Sequence, residues 1–578
     1  MTNRHLLRRA FLGTVACGLI GLNLPVAAQS QGAVPSPHAA APRPNIVVIL
    51  ADDMGFSDIG SYGSEIPTPN LDALAASGLR FTQFYNAARC SPTRASLLTG
   101  LYPHQAGMGN LDSVIVPSSR GLHGRLLDRA VTIPQVLKGA GYFTAMSGKW
   151  HVGQRNGTPP ATKGFDRSFL FPGSTYYKDQ RPRAMVTIDG RDVPITSPEV
   201  GSGYWYASDL LVDWGIKFTR EATAKKQPFF LYLPFTAPHF PVMAPKEDVA
   251  RFKDAYRAGW EKLREARLAR QKTLGIIDAD TKLAPLLREN YDWDSLSQEN
   301  KDRFSQIMAV YAASISRMDK AIGTLVADLK ARGQFDNTLI LFMSDNGGNA
   351  ESGPDGRLRG QNPGGARSDV WVGLNWATLQ NTPFSYYKHY GEEGGVASPL
   401  IAHWPKGIGA RLNGTLVRAP SHLIDIMPTL VELAGASYPR EFNGNAILPM
   451  EGRSIAASFS GAALTRSVPL FFEHEGNRSV RDGRWKLVGQ FNTRWSLYDM
   501  DADRSETHDV AAQHPDLVKK MSAQWDAWAA RAFVDRWPRK DAGGVTPGML
   551  EGGPVRPQSG MPGVPSRRGR RAGGGEQE

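Results

Sequence analysis

The chain has 578 residues, 41% hydrophobic and 21% charged, the proportions of a globular protein large enough for one big core and a smaller one. Its net charge is +12, or +9 once Arg4, Arg8 and Arg9 leave with the N-terminal leader. The basic residues are interleaved with acids along the chain, which argues against a nucleic-acid-binding face and favours a small anionic partner.

Residues 1–28 read as a signal peptide: a basic start, an apolar run from Phe11 to Val26, and Ala27-Ala28 before a plausible cut. "RRAFLG" resembles a twin-arginine export signal. The apolar run is short for a membrane span and no later stretch is long enough, so stable membrane insertion is not expected. The expected location is periplasmic or secreted, with the export machinery as a transient partner. Residues 29–43 are Ala-, Pro- and Ser-rich and read as a flexible linker.

From Pro44 the pattern becomes strand, loop, helix, repeatedly. "NIVVIL", "YFTAMSG", "FFLYLPF", "NTLILFMSD" and "SPLIAHWP" are expected strands; "PNLDALAASG", "TIPQVLKGAG", "DKAIGTLVADLKARG" and "DIMPTLVELAG" are expected helices. Such alternation predicts an α/β domain over 44–466, with a mainly parallel sheet covered by helices on both faces. Residues 246–305 interrupt it with a charged, helix-prone insertion, most of whose charges are expected in water. From about Ser467, "PLFFEHEGNRSVRDGRWKLVG" and "WSLYDMD" predict short antiparallel strands. "HPDLVKKMSAQWDAWAARAF" predicts a closing helix, giving a small α+β domain over 467–540. The Gly-, Pro- and Arg-rich tail, 541–578, is expected to be disordered.

Chemistry-bearing residues gather at predicted strand ends. Asp52 and Asp53 follow the first strand, where open α/β sheets place their sites, and two adjacent buried carboxylates require a cation. Asp345 and Asn346 follow another strand and add hard oxygen ligands suited to calcium or magnesium rather than zinc. In "CSPTRASLLTG", a helix starting near Thr93 would set Cys90 and Arg94 at its positive end, a seat for an anion. Cys90 is the one cysteine left once Cys17 departs with the leader, so it is not half of an intramolecular disulfide. Lys149 and His151 in "SGKWHVG", His239 in "TAPHFPV" and Lys388 in "YYKHYGEEGG" supply cations and proton carriers from three further segments. His389 and His403 read as ordinary surface or core histidines.

The stretch "CSPTRASLLTG" resembles the Cys-x-Pro-x-Arg signature of the type I, formylglycine-dependent sulfatases. "ADDMGFSDIG", "SGKWHVG", "APHFP", "SDNGG" and Lys388 through Gly395 follow in that family's order, covering roughly residues 44 to 540. The insertion resembles that of bacterial arylsulfatases. The resemblance implies an alkaline-phosphatase-like fold with a large, mostly parallel mixed sheet, plus a small C-terminal antiparallel sheet. It implies one Ca2+, with Mg2+ the lesser choice, held by Asp52, Asp53, Asp345, Asn346 and the modified Cys90. It further implies that Cys90 is oxidised by a formylglycine-generating enzyme, its hydrate attacking the sulfur of a small-molecule sulfate ester. Arg94 would orient that hydrate and Asp345 would help activate it. Lys149 would polarise the sulfate, and His151 would take the proton that releases it. His239 and Lys388 would hold the sulfate and protonate the leaving oxygen. The rival readings are a phosphonate or phosphodiester hydrolase of the same superfamily and a non-catalytic periplasmic anion- or calcium-binding protein.

Overall fold

The computed structural model describes residues 43–537; the leader, most of the linker and the Gly/Arg-rich tail lie outside the described residues. Strand β1 (Asn45–Ala51) is buried along its whole length because it is apolar on both faces. Val47, Ile49 and Ala51 enter one core layer, while Ile46, Val48 and Leu50 enter the other. A strand covered on both faces is what a run such as NIVVILA requires.

The next elements are α1 (Pro69–Ala76), β2 (Leu79–Tyr85), α2 (Cys90–Thr99), α3 (Ile133–Gly139) and β3 (Phe143–Gly148). Strands β4 (Arg167–Leu170), β5 (Met185–Ile188) and β6 (Arg191–Pro194) follow, then α4 (Ala207–Ala224) and β7 (Phe229–Pro234). Helices α5 (Lys246–Ala250), α6 (Gly259–Thr273) and α7 (Gln298–Ala331) lead to β8 (Thr338–Ser344). A short hairpin pairs β9 (Arg357–Arg359) with β10 (Asp369–Trp371), and α8 (Gly373–Gln380), β11 (Ala397–His403) and β12 (Thr415–Val417) complete the large layer.

The main sheet has eleven strands, ten of them in the order β12-β2-β11-β8-β1-β7-β3-β4-β5-β6, with Ser421–His422 pairing β2 off that path. Its centre, β8-β1-β7-β3-β4, is parallel throughout. β11 runs antiparallel to β2 and β8, and the β4-β5-β6 edge is an antiparallel meander. Side chains of α1, α4 and α7 pack on one face; those of α2, α3 and the helix Ile426–Ala434 pack on the other. The expected mixed, mostly parallel α/β sheet is therefore what the chain forms. Beyond it, strands Leu470–His474, Asn477–Asp482, Trp485–Gly489 and Ser496–Asp499 make a four-stranded antiparallel sheet. The helix Pro515–Arg531 packs on it, Trp528 stacking on Phe471 with ring centroids 5.2 Å apart. Among the described residues no helix is long and apolar enough to cross a membrane.

Two local expectations shift. α2 begins at Cys90 rather than near Thr93. Pro92 falls in its first turn, where a missing N–H costs no intrahelical bond, so proline does not delay the start. The helix read as DKAIGTLVADLKARG is the end of a 34-residue helix that starts inside the charged insertion.

The insertion is not only a solvated flank. Arg264 and Arg267 of α6 are buried. Arg267 forks onto Glu65 through Nε and Nη2, both 2.8 Å, and its Nη1 donates to Asp58 Oδ1 at 2.7 Å and to Ser57 Oγ at 2.9 Å. Asp58 in turn accepts from the Gly55 amide and from Tyr311, whose hydroxyl also donates to the Asp53 carbonyl at 3.3 Å. Burial outweighs Arg267 and pushes the Asp58 pKa up to about 6. Arg267→Met leaves Asp58 buried without its cation, so we expect a loss of about 3–5 kcal/mol of stability. Urea unfolding measures it; a midpoint equal to that of the parent chain would show that this brace carries no load.

Candidate active site

Parallel pairing of β1 with β8 sets Ala51 against Ser344, so Asp52–Asp53 and Asp345–Asn346 emerge side by side at the carboxyl edge of the sheet. The Asp53 amide donates to Asp345 Oδ1 at 3.1 Å, and Asn346 Nδ2 donates to Asp53 Oδ1 at 2.7 Å. Asp53 has φ 64°, a left-handed conformation that Asp tolerates and that strains the backbone at this point. α2 delivers Cys90, whose Sγ lies 3.9 Å from Asp53 Oδ1. Arg94, one turn on and fully buried, donates to Asp345 Oδ2 at 2.7 Å, stands 3.5 Å from Asp52 Oδ1, and donates to the Lys149 carbonyl at 3.0 Å.

The segment after β3 places Lys149 Nζ 2.6 Å from Asp52 Oδ2. His151 follows with φ 58°, its Nε2 3.5 Å from Asp112 Oδ1. After β7, His239 Nε2 sits 3.5 Å from Asp53 Oδ2, while Nδ1 lies 2.6 Å from the Phe240 carbonyl, which fixes Nδ1 as the protonated nitrogen. Lys388 Nζ is 2.9 Å from Asp53 Oδ1 and 3.4 Å from Glu351 Oε2. All ten sequence-derived residues thus meet in one place. Lys149, His151 and His239 line a cavity of about 550 Å³ that also touches Asp112, Gln154, Arg155, Phe171 and Ser174.

The glycine pairs explain how two loops come this close. A Cβ on Gly347 would lie 1.8 Å from the Gly394 carbonyl oxygen, so "DNGG" and "EEGG" pack backbone to backbone.

Electrostatically the site balances four buried carboxylates (Asp52, Asp53, Asp345, Glu351) against four buried cations (Arg89, Arg94, Lys149, Lys388). Burial raises the Asp52 pKa, but Lys149, His239 and Arg94 outweigh it and hold Asp52 well below the usual range. Asp345 goes the other way, pushed up to about 7 by burial and then by Asp52. Burial drives the Cys90 thiol well above its ordinary range, despite Lys388 beside it. Burial, then Lys149, lowers His151 far below its normal value and lowers His239 too.

Asp52, Asp53, Cys90 and His239 offer ligand atoms within 4.8 Å of one another, a possible metal site. The donor set fits a hard cation: Asp52 Oδ1 and Asn346 Oδ1 are buried oxygens without a hydrogen-bond donor. Sequence reasoning missed Glu351, which holds Arg89, Lys388 and Asn349, and Asn349, whose Nδ2 donates to Asp53 Oδ2 at 2.6 Å. Their only signal was proximity to "SDNGG". Ser174, whose hydroxyl lies 3.2 Å from His239 Nδ1, carried no signal at all.

Comparison with known proteins identifies the family. The sulfatase family model matches residues 44–436, and a model for the C-terminal part of N-sulphoglucosamine sulphohydrolase matches 384–530. An arylsulfatase of Klebsiella aerogenes is 38% identical over 444 residues, 73% of this chain and 93% of that protein. An uncharacterised sulfatase of Schizosaccharomyces pombe is 34% identical over 536 residues, 86% of this chain and 95% of that protein. The crystal structure of Ps i-CgsB in complex with k-i-k-neocarrahexaose superposes with a TM-score of 0.62 at 28% identity, covering 84% of this chain and 93% of that one. On that family model and these relatives, the chain belongs to the sulfatase family, close to the bacterial arylsulfatases, and hydrolyses sulfate esters.

Proposed function

We propose that the protein is an arylsulfatase, converting an aryl sulfate and water to a phenol and sulfate, with Cys90 oxidised to formylglycine and one Ca2+ held by Asp52, Asp53, Asp345, Asn346 and residue 90. The observation that carries this is Cys90 itself: a buried thiol at the first position of α2, its pKa raised, surrounded by cations and hard oxygen ligands. A thiol so placed stays protonated and is a weak nucleophile, whereas a precursor to an aldehyde needs no ionisation. When present, the ion supplies Lewis acidity and the hydrated aldehyde supplies one attacking hydroxyl and a second that lets sulfate leave.

The chain's own residues do the rest. Arg94 orients residue 90 and Asp345, and its bond to the Lys149 carbonyl fixes the lysine against Asp52. Lys149 meets a sulfate oxygen from the cavity wall. His151, kept neutral by burial beside Lys149, is ready to accept a proton. His239 presents Nε2 to the site; the charge of an entering sulfate raises its pKa, so that with Lys388 it serves the leaving oxygen. The N-terminal leader supports export to the periplasm or beyond, and the Cys-x-Pro-x-Arg stretch at Cys90 supports maturation by a formylglycine-generating enzyme.

Steady-state kinetics on an aryl sulfate and on a phosphonate monoester test the reaction class. We expect kcat/KM to favour the sulfate by at least about 100-fold, near 2.7 kcal/mol of transition-state discrimination. Preference for the phosphonate ester would overturn this reading.

A further inference from the structure

A second constellation lies behind Lys388, outside the groups used above. His389, His474 and Glu475 offer three ligand atoms within 4.8 Å of one another. His389 follows Lys388 directly; His474 and Glu475 come from the end of the strand Leu470–His474 and the turn after it. Glu475 Oε2 is 3.7 Å from His389 Nδ1 and 3.9 Å from His474 Nε2. Two nitrogens and an oxygen bound tetrahedrally at about 2.0–2.1 Å sit roughly 3.4 Å apart, so the two Glu475 edges need shorten by only a few tenths of an ångström.

Two features separate this cluster from an ordinary polar contact. His474 is 1% exposed, yet neither of its ring nitrogens has a hydrogen-bond partner. A buried imidazole with two idle nitrogens costs desolvation that nothing within the protein returns. The supporting contacts also leave the inward atoms free. His389 Nε2 meets Glu351 Oε1 at 3.0 Å and the Arg89 guanidinium, which turns Nδ1 toward Glu475 Oε2. Asn110 Nδ2 donates to Glu475 Oε1 at 3.1 Å, reserving Oε2. A carboxylate behind a histidine, and an amide behind a carboxylate, are how metal ligands are held in register. Arg89, which also touches His389 Nε2, is paired with Glu351, so that carboxylate offsets its charge beside the cluster.

We propose that His389, His474 and Glu475 bind a borderline dication of the Zn2+ class, clamping the segment after Lys388 to the C-terminal sheet. Two imidazoles and one carboxylate suit such an ion and not calcium, which takes six or more oxygens. Of the three, His389 lies nearest to solvent, its side chain 13% exposed. The clamp joins segments that already share a bond from Asn477 Nδ2 to the His389 carbonyl, 3.2 Å long. It would hold Lys388 from behind.

Cobalt(II) is the probe, because a tetrahedral N/O site gives it a visible ligand-field band. The full chain, saturated with Ca2+ so that the strand-end carboxylates are satisfied, is titrated with Co2+. We expect one equivalent to bind with a visible band that Zn2+ removes, and a thermal midpoint that rises with Zn2+. Replacing a supporting group, Asn110→Ala, should weaken Co2+ by about 10–100-fold. His474→Ala should abolish the band, as should the near-isosteric Glu475→Gln, which serves if the histidine variant fails to fold. Asp53→Asn should keep it. No band in the parent chain overturns the proposal; so does a band that survives both His474→Ala and Glu475→Gln, or one lost only in Asp53→Asn.

Discussion

Cys90→Ala should abolish sulfate ester turnover, by on the order of 10⁶-fold, the scale seen when the nucleophile of a cooperating set is removed. The fold should survive, since the change removes a single buried sulfur from the first turn of α2, at a cost of about 1–2 kcal/mol. Arg94, Lys149 and Asp345 keep their mutual bonds, because none of them runs through Sγ. Mass spectrometry of the peptide containing residue 90 is the companion measurement: in active enzyme it should have lost sulfur and gained oxygen. An active preparation whose residue 90 is an intact thiol, or a Cys90→Ala variant that still turns over, would refute the assignment.

Metal depletion should be almost as severe. Without an ion the four carboxyl groups face the four cations, and those cations are occupied by them. A dication held by Asp52, Asp53 and their neighbours would free Lys149 and Lys388 for sulfate and leave the site positive. We expect a chelator to bring activity to background, Ca2+ to restore it, and Mg2+ to restore it less well. Binding should also register as stability, by about 2.7 kcal/mol at a hundredfold excess over Kd. Full activity after metal analysis confirms depletion, with a melting temperature indifferent to Ca2+, would count decisively against this ion.

The strand-end logic was legible because it rests on local signals. NIVVILA and TLILFMS are apolar on both faces, so each had to be a covered strand. Each ends in acids, and parallel pairing brings those ends together. The start of α2 was less legible: Pro92 looks like a boundary, yet in a first turn it asks for no bond. Arg267 was hidden in a charged run, since nothing local separates a buried arginine from its solvated neighbours. Its partners Asp58 and Glu65 lie some 200 residues earlier. His389 read as an ordinary histidine for the same reason. Its neighbours Arg89, Glu351, His474 and Glu475 come from three distant segments.

The amino-acid sequence by itself determined the layered α/β architecture and the family, and it nominated ten residues for the site, on strand ends, on α2 and, for Lys388, in a loop. Periodicity, apolar runs and motif spacing are properties of neighbours along the chain. Tertiary structure alone decided which of those residues touch, that Glu351 and Asn349 hold Lys388 and Asp53, and that two histidines and a glutamate meet behind the site. Burial and long-range pairing set charge states and free lone pairs, and neither is written into any single stretch of sequence.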